Sequence, residues 1–497
     1  MKETLFTKTT PEAVGLSSRQ VLSFLDKAEA NGIMMHSMLL MRRNQVVAEG
    51  YFGPFTRESK HRMYSVSKSF VATAIGLLAD EGRIGLDDRV ADYFPDKLPE
   101  DPHPYIMAMT IRDLLKMATA HPQSTTGVQD PDWAWTFFNK KPTHPPGTLF
   151  NYDTSGSYVL DVIVERVTGQ PFLEYMKDRM LRELGFSEDA WCVNAPEGNS
   201  WGGSGVICTT RDAARLALVY MNDGRLGGKQ LLSEKFVREA TTRQIDNSPS
   251  GHRNYIQGNG YGYQIWMLKD GGFGFIGMGM QLVICLPKQD LIFVCTGDTQ
   301  GSTTHYAGVM ELLWSEIVEH LEEGELPEDV AGAGTLEARL DGLEVVCSLI
   351  GESASVFAAE VDRRAYVLDP NPMEIESLEL RLIDGDSGAV GELVMQKGGE
   401  EKRIAFGMDR YVIGEFPETH YFGDTIRKPA GRKYRSMATA RWTEEQKLSI
   451  RCYVIDDYFG NLTITLAWKG EEIAVQMQKT AEWFLNEYEG IAAGRAR

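Results

Sequence analysis

The order of residue patterns along the chain predicts an α+β domain followed by a separate antiparallel β domain. Helical and strand periods intermingle over roughly the first 320 residues, an acidic stretch marked by Gly and Pro follows at 322–334, and from about residue 340 only alternating or β-branched segments recur. At 497 residues, 43% hydrophobic and 24% charged, with no low-complexity tract, the chain is too long for one ordinary core. The expected boundaries are 1–325 for the first domain, 326–338 for a linker and 339–497 for the β domain.

Charge and composition narrow the partners. A net charge of −19 leaves no basic face for a phosphate backbone, so neither nucleic acid nor an anionic membrane is expected. The N-terminal residues lack an apolar core of signal-peptide length and no run of about 18 apolar residues follows, which predicts a soluble, cytoplasmic protein. Cys192, Cys208, Cys285, Cys295, Cys347 and Cys452 form no Cys-x-x-Cys pair and sit mostly among apolar residues, as buried free thiols do. The nine histidines show no tight ligand spacing, and neither a metal nor a cofactor is expected.

In the first domain, Pro11 to Ser18 reads as an entry loop with a cap, after which Val21, Leu22, Leu25 and Ala28 recur at helical spacing. Residues 37–52 read as a hairpin turning at Arg43-Asn44. Thr110 caps a short helix over 111–117, and further helices are expected at 159–168 and 212–222. Trp133, Trp135, Phe137 and Phe138 cluster in a polar segment closed by Pro145-Pro146-Gly147, a pattern that forms core or walls a pocket. Strands at 264–267, 274–286 and 291–296 precede a long helix over 305–321 that starts at His305. In the second domain, strands are expected at 343–349, 355–361, 378–383, 390–396, 438–442, 448–454 and 462–468, building a barrel or sandwich that ends in a short helix at 481–488. It carries no catalytic constellation, so packing or dimerisation, with a homodimer as the assembly, is its expected role.

The stretch Met63-Tyr64-Ser65-Val66-Ser67-Lys68-Ser69-Phe70 continues small and apolar to Leu78 and is stopped by Gly82, the mark of a helix buried on every side. Ser65 and Lys68 lie three apart and share a face of that helix. A lysine buried there loses hydration of its charged form, which lowers its pKa and lets it take the serine proton. The free amides of the helix N-terminus can hold an oxyanion beside it. Ser-x-x-Lys arises about once by chance in a chain of this length, and a lysine snorkelling out of a buried helix is the plain reading. The apolar neighbours Val66, Phe70 and Val71 favour the functional one.

Several segments, taken in order over roughly residues 10 to 320, resemble the serine β-lactamase and penicillin-binding-protein superfamily, in its class C-like esterase and amidase branch. Met63-Tyr64-Ser65-Val66-Ser67-Lys68 resembles the nucleophile motif, and Glu81-Gly82-Arg83-Ile84-Gly85-Leu86-Asp87-Asp88 is similar to the segment after it. Thr110-Ile111-Arg112-Asp113-Leu114-Leu115 resembles the next, and Pro146-Gly147-Thr148-Leu149-Phe150-Asn151-Tyr152 the approach to the catalytic tyrosine. Gly202-Gly203 through Thr210-Arg211-Asp212 is similar to the later glycine turn and helix. The resemblance implies a β-lactamase/transpeptidase-like domain, an antiparallel sheet flanked by helices beside a helical region. It implies Ser65 as the acylated nucleophile, Lys68 as its base partner and Tyr152 as the phenol that exchanges protons. Cations or a helix end near Tyr152 would lower its pKa from about 10 and let phenol and amine share the base role.

Two places depart from the pattern. Thr154 stands where the family places Asn, and the third motif falls on Phe275-Ile276-Gly277, where a cation and a hydroxyl give way to apolar side chains. Thr154, Phe275, Ile276, Gly277 and Trp133 are expected at the substrate, and the backbone N–H groups of Ser65 and Met278 at the oxyanion. Without partners for a substrate carboxylate, a small neutral ester or amide, cleaved through an acyl-enzyme, is favoured over a β-lactam or a D-amino-acid peptide. A non-catalytic ligand-binding homologue is the alternative of another class. The Gly272 to Gly277 stretch also matches the Gly-x-Gly-x-x-Gly dinucleotide pattern, but strand sequence rather than a helix follows it.

Overall fold

The computed structural model describes residues 4–127, 130–248, 254–300, 305–346, 349–383, 390–408, 410–418, 433–456, 459–480 and 485–497. Cys347, residues 481–484 and the side chain of His305 lie outside the described set. Two compact units result, with the main change-over in sequence after Val345.

The first unit is built on a six-stranded antiparallel sheet in the order Gln45–Tyr51, Met35–Arg42, Leu291–Gly297, Gln281–Leu286, Phe273–Gly277, Trp266–Met267. The hairpin turns where expected, with Arg43 and Asn44 both at positive φ (53° and 58°), the pair of left-handed residues that matches strand twist. The strand expected over 274–286 is two strands, because the chain reverses at Met278-Gly279-Met280, with Met280 at φ 77°. One face of the sheet is covered by the helix Ser18–Ala30, whose Phe24 meets Phe293 edge-on at 5.6 Å. The other is covered by Thr210–Met221, whose Tyr220 meets Phe275 at 5.4 Å.

The helix Ser67–Asp80 is buried from Ser67 through Leu78, as its unbroken run of small and apolar residues requires. Gly76 lets Phe236 close on it, since a Cβ there would stand 2.6 Å from that ring. The helices Ile111–Leu115, Trp133–Asn139 and Thr154–Thr168 form the helical region around it. Thr110 and Asp113 complete a reciprocal capping box at the first of these.

The segment expected as a linker, 326–338, is for the most part the helix Val330–Asp341 and belongs to the first unit. Leu340 and Leu343 close over Gly50, and Arg339 pairs with Glu29. Gly and Ala in an acidic context suggested flexibility, whereas one apolar stripe on a sheet edge suffices to order the helix.

The second unit is a closed barrel of nine strands: Ala365–Leu368, Ile375–Ile383, Val390–Lys397, Glu400–Gly407, Tyr434–Glu444, Lys447–Ile455, Phe459–Lys469, Glu472–Thr480 and Gly490–Ala496. Val412–Phe416 pairs onto Tyr434–Glu444 from outside. Closure is by a parallel contact, Gly407 opposite Thr439, where the Thr439 hydroxyl donates to the Gly407 carbonyl at 3.2 Å. Residues 355–361, expected as a strand, instead end in the short helix Ala358–Val361. The chain finishes on a strand beside Ala365–Leu368, not on the helix expected at 481–488, of which only the turn Asn486–Tyr488 is described. Among the described residues, five cysteines are free and no helix is long and apolar enough to cross a membrane.

Candidate active site

Ser65 is presented by a strained elbow. The short strand Lys60–Arg62 delivers the chain, and the Met63 amide donates to the Val206 carbonyl at 2.8 Å. Tyr64 then takes φ 46°, a conformation that costs a side-chain-bearing residue about 1–3 kcal/mol and that only surrounding packing can hold. The holding group is Arg62, fully buried. Its guanidinium lies 4.7 Å from the Tyr64 ring and 4.5 Å from Trp201, and donates to the Ser204 carbonyl and hydroxyl at 3.0 and 3.1 Å. Ser65 is left partly exposed between buried Tyr64 and Val66, in the 3-10 turn that opens the long helix.

Lys68, 1% exposed, places Nζ 3.0 Å from Ser65 Oγ and donates to the Gly203 carbonyl at 2.6 Å. The position of that carbonyl is fixed by the absence of side chains around it. A Cβ on Gly203 would stand 2.7 Å from Thr154 Cγ2, and one on Gly202 2.5 Å from Val71 Cγ2. The Gly202 amide donates to Asp161 Oδ2 at 3.0 Å, and Asp161 is fully buried. Thr154 therefore sits at the first turn of its helix, packed against the glycine that holds the lysine. The sequence marked Gly202-Gly203 as a turn, but nothing in it showed that one carbonyl would be the acceptor for Lys68.

Tyr152 precedes the helix Thr154–Thr168, whose cap Asp153 is locked by Thr119 Oγ1 at 2.8 Å, Ser124 Oγ at 3.0 Å and the Ser155 amide at 2.8 Å. The ring stacks on Trp266 at 5.4 Å and 28°, and Lys68 Nζ lies 5.1 Å from its centroid. The Ser65 side chain is the polar group that acts on its hydroxyl. The expectation of a lowered pKa is overturned: burial pushes the phenol up to about 12, against a smaller opposing effect from Ser65. The lysine sits over the ring face, and no charge compensates the loss of solvent.

The strand Phe273–Gly277 runs in beside this group. A Cβ on Gly277 would stand 2.3 Å from the Met63 carbonyl, so only glycine lets the strand end meet the elbow. Met278 follows, 40% exposed, and its turn is braced by Gln281 Nε2, which donates to the Met278 and Gly279 carbonyls at 3.2 Å each and to Gly297 at 2.7 Å. The two amides expected to hold an oxyanion thus belong to adjoining segments. Phe275 turns into the core toward Tyr220, while Ile276, one step along the pleat, is 9% exposed beside Trp266. Trp133 lies in the helical core, edge-on to Tyr158 and Trp201 at 5.4 and 5.2 Å, with its indole N–H bonded to the Gly127 carbonyl. The structure brings Ser65, Lys68, Tyr152, Thr154 and Gly277 together and leaves Phe275 and Trp133 in core packing.

One brace escaped sequence reading. Gln264, 2% exposed and at φ 55°, accepts from Ser157 Oγ at 2.7 Å through Oε1 and from Ser69 Oγ at 2.8 Å through its carbonyl. It donates to the Leu114 carbonyl at 2.7 Å. Three helices around the site are joined by one residue that carries no motif, two through its side-chain amide and the third through its carbonyl. Behind the elbow, His36 Nδ1 and His61 Nε2 lie 3.0 Å apart with Phe55 stacked on His36 at 3.9 Å. Burial holds both imidazoles neutral, His61 down at about 3 and His36 well below its ordinary value.

Residues 27–307 match the beta-lactamase family model, a span that takes in Ser65, Lys68, Tyr152 and Gly277. The chain belongs to the beta-lactamase family. It is a hydrolase of that family, and relatives bear this out. A 6-aminohexanoate-dimer hydrolase from Paenarthrobacter ureafaciens is 25% identical over 300 residues, covering 55% of this chain and 75% of that one. Among solved structures, the octameric penicillin-binding protein homologue from Pyrococcus abyssi aligns over 96% of this chain and 99% of its own at 16% identity and TM-score 0.50. EstCE1, a hydrolase with promiscuous acyltransferase activity, aligns over 60% of this chain and 99% of its own at 15% identity and TM-score 0.50. At those identities the two structures speak for the fold.

Proposed function

We propose that the protein is a serine hydrolase that cleaves a small, uncharged ester or amide through an acyl-enzyme on Ser65. The observation that carries this reading is the convergence of two proton-handling groups on one hydroxyl: Lys68 Nζ at 3.0 Å and the Tyr152 phenol. With one N–H engaged by the Gly203 carbonyl, Lys68 Nζ is held 3.0 Å from Ser65 Oγ, in place to act as its base. The hydroxyl proton passes to Nζ as Oγ bonds to the carbonyl carbon, and the oxyanion is received by the amides of Ser65 and Met278. Tyr152, neutral because its pKa lies near 12, gives its proton to the leaving oxygen or nitrogen and regains one from Lys68 as the bond to that group breaks. Water then enters by the reverse sequence and releases the acid. With Phe275 in the core and Ile276 apolar, this strand offers no cation to a substrate carboxylate, which favours uncharged substrates over β-lactams. The five cysteines among the described residues are free, which suits a reducing, cytoplasmic setting.

The test is labelling with a fluorophosphonate followed by mass spectrometry. One adduct on the peptide carrying Ser65 is expected, absent from Ser65→Ala, while benzylpenicillin leaves no lasting adduct. Lys68→Met and Tyr152→Phe should each slow hydrolysis of a neutral ester by about 10²–10⁴-fold without a change in melting behaviour. An adduct on another residue, or a Ser65→Ala variant that still hydrolyses, overturns the assignment.

A further inference from the structure

Beside the Tyr152–Trp266 stack the first unit holds a cavity of about 270 Å³. Its walls are Trp266, Ile276, Tyr255, Ile256, Ala307 and Met310. Trp266 is shared between the two places: it stacks on Tyr152 at 5.4 Å and lines the cavity, so one ring separates this space from the reacting hydroxyl. Ile276 is shared in the same way, since it enters the cavity one residue before Gly277, which abuts the elbow.

Two polar side chains stand at this cavity, Asn254 and Gln257, and their hydrogen bonds are turned inward. Asn254 Oδ1 accepts from the amides of Ile256 and Gln257 at 2.8 and 2.7 Å, and its Nδ2 faces Gln257 Oε1 at 3.4 Å. Among the described residues, no charged side chain lines the space. Lys269 Nζ lies over the Tyr255 ring at 5.3 Å from its centroid. A cavity walled chiefly by apolar and aromatic side chains gains by taking an apolar guest and loses by taking a charged one.

Resting on the serine-hydrolase reading, we infer that this cavity is the acyl-chain subsite and that the substrates are esters or amides of unbranched aliphatic acids of medium length. Its volume holds about nine groups at ~30 Å³ each. A chain of roughly six to eight carbons fills it, and a bulky ring system does not fit.

The experiment is a series of 4-nitrophenyl esters from acetyl to dodecanoyl with the intact protein. kcat/KM should rise about three- to fourfold per added methylene up to hexanoyl or octanoyl, the factor that burial of one CH₂ supplies, and then level off or fall. Ala307→Trp, which fills the cavity from its exposed side, should lower the octanoyl-to-acetyl ratio of kcat/KM at least tenfold. Ile276→Ala should move the optimum to longer chains. Because each ratio is taken within one preparation, partial unfolding does not alter it. A flat or falling series from acetyl to octanoyl, or a ratio unmoved by Ala307→Trp, overturns the subsite. Loss of Ser65-dependent acetyl ester hydrolysis altogether strikes at the underlying reaction instead, and the two failures are told apart by that substrate.

Discussion

Asp161 carries a role that its chemistry alone does not suggest. Burial, with Glu165 nearby, holds its carboxyl well above the ordinary carboxylate range. What the site needs from it is an acceptor for the Gly202 amide, which keeps Gly203 under Lys68. Asp161→Asn preserves an acceptor and should keep most of the activity, whereas Asp161→Leu should lower kcat about tenfold or more with little change in KM. Steady-state kinetics on one neutral ester separates the two. The His36–His61 pair gives a pH signature of its own. Both folded-state values lie below the unfolded value near 6.5, so below that pH the unfolded chain binds protons that the folded chain refuses. Stability should be unaffected by the pair above pH 6.5 and fall progressively as the pH drops toward 3. Thermal melts between pH 8 and 4 should show this decline, and His61→Gln should flatten it.

At the scale of elements, the approach of the Phe273–Gly277 strand to the elbow is the decisive contact. In Gly277→Ala the new methyl meets the Met63 carbonyl and must push the strand end, with the Met278 amide, away from Ser65. Loss of one oxyanion donor lowers kcat about 10²–10³-fold, and a fall of that size with an unchanged far-UV spectrum is the expected result. Much of this element structure was legible in the sequence. The cap at Thr110, the turn at Arg43-Asn44 and the buried run after Ser67 are local signals, and local physics fixed each of them, whereas the helix expected from 159 starts at Thr154 on a cap, Asp153, that went unread. What escaped was decided over distance. Phe275 and Ile276 are both apolar, and only the register of their strand sends one to Tyr220 and the other to Trp266's cavity. The Tyr152 phenol was expected to be acidified by a neighbouring cation, yet the lysine arrives over its ring. Trp133 looked like a pocket wall because aromatic clusters in loops often are, but Tyr158 and Trp201 enclose it. Leu336, Leu340 and Leu343 recur near helical spacing from the end of the supposed linker onward, a stripe masked by the Gly and Ala before it.

At the scale of the molecule, each unit has its own core, and every hydrogen bond named around Ser65, Lys68 and Tyr152 lies within the first. A chain ending at Val345 should therefore fold and retain the full kcat. The barrel remains proposed as a packing or dimerisation module; in the dimerisation case light scattering should find a dimer for the whole protein and a monomer for the shortened one. A monomeric whole protein would refute that role, and an inactive but folded short form would show that the barrel serves the reaction. The central sheet carries a further consequence, for biosynthesis. Ser37 and Thr296 share a hydrogen bond across 259 positions of chain, so the first hairpin emerges from the ribosome long before its neighbour exists. At ~5–20 residues per second its apolar flank waits for tens of seconds. Yield in a cell should accordingly follow the supply of chaperones that shield nascent strands.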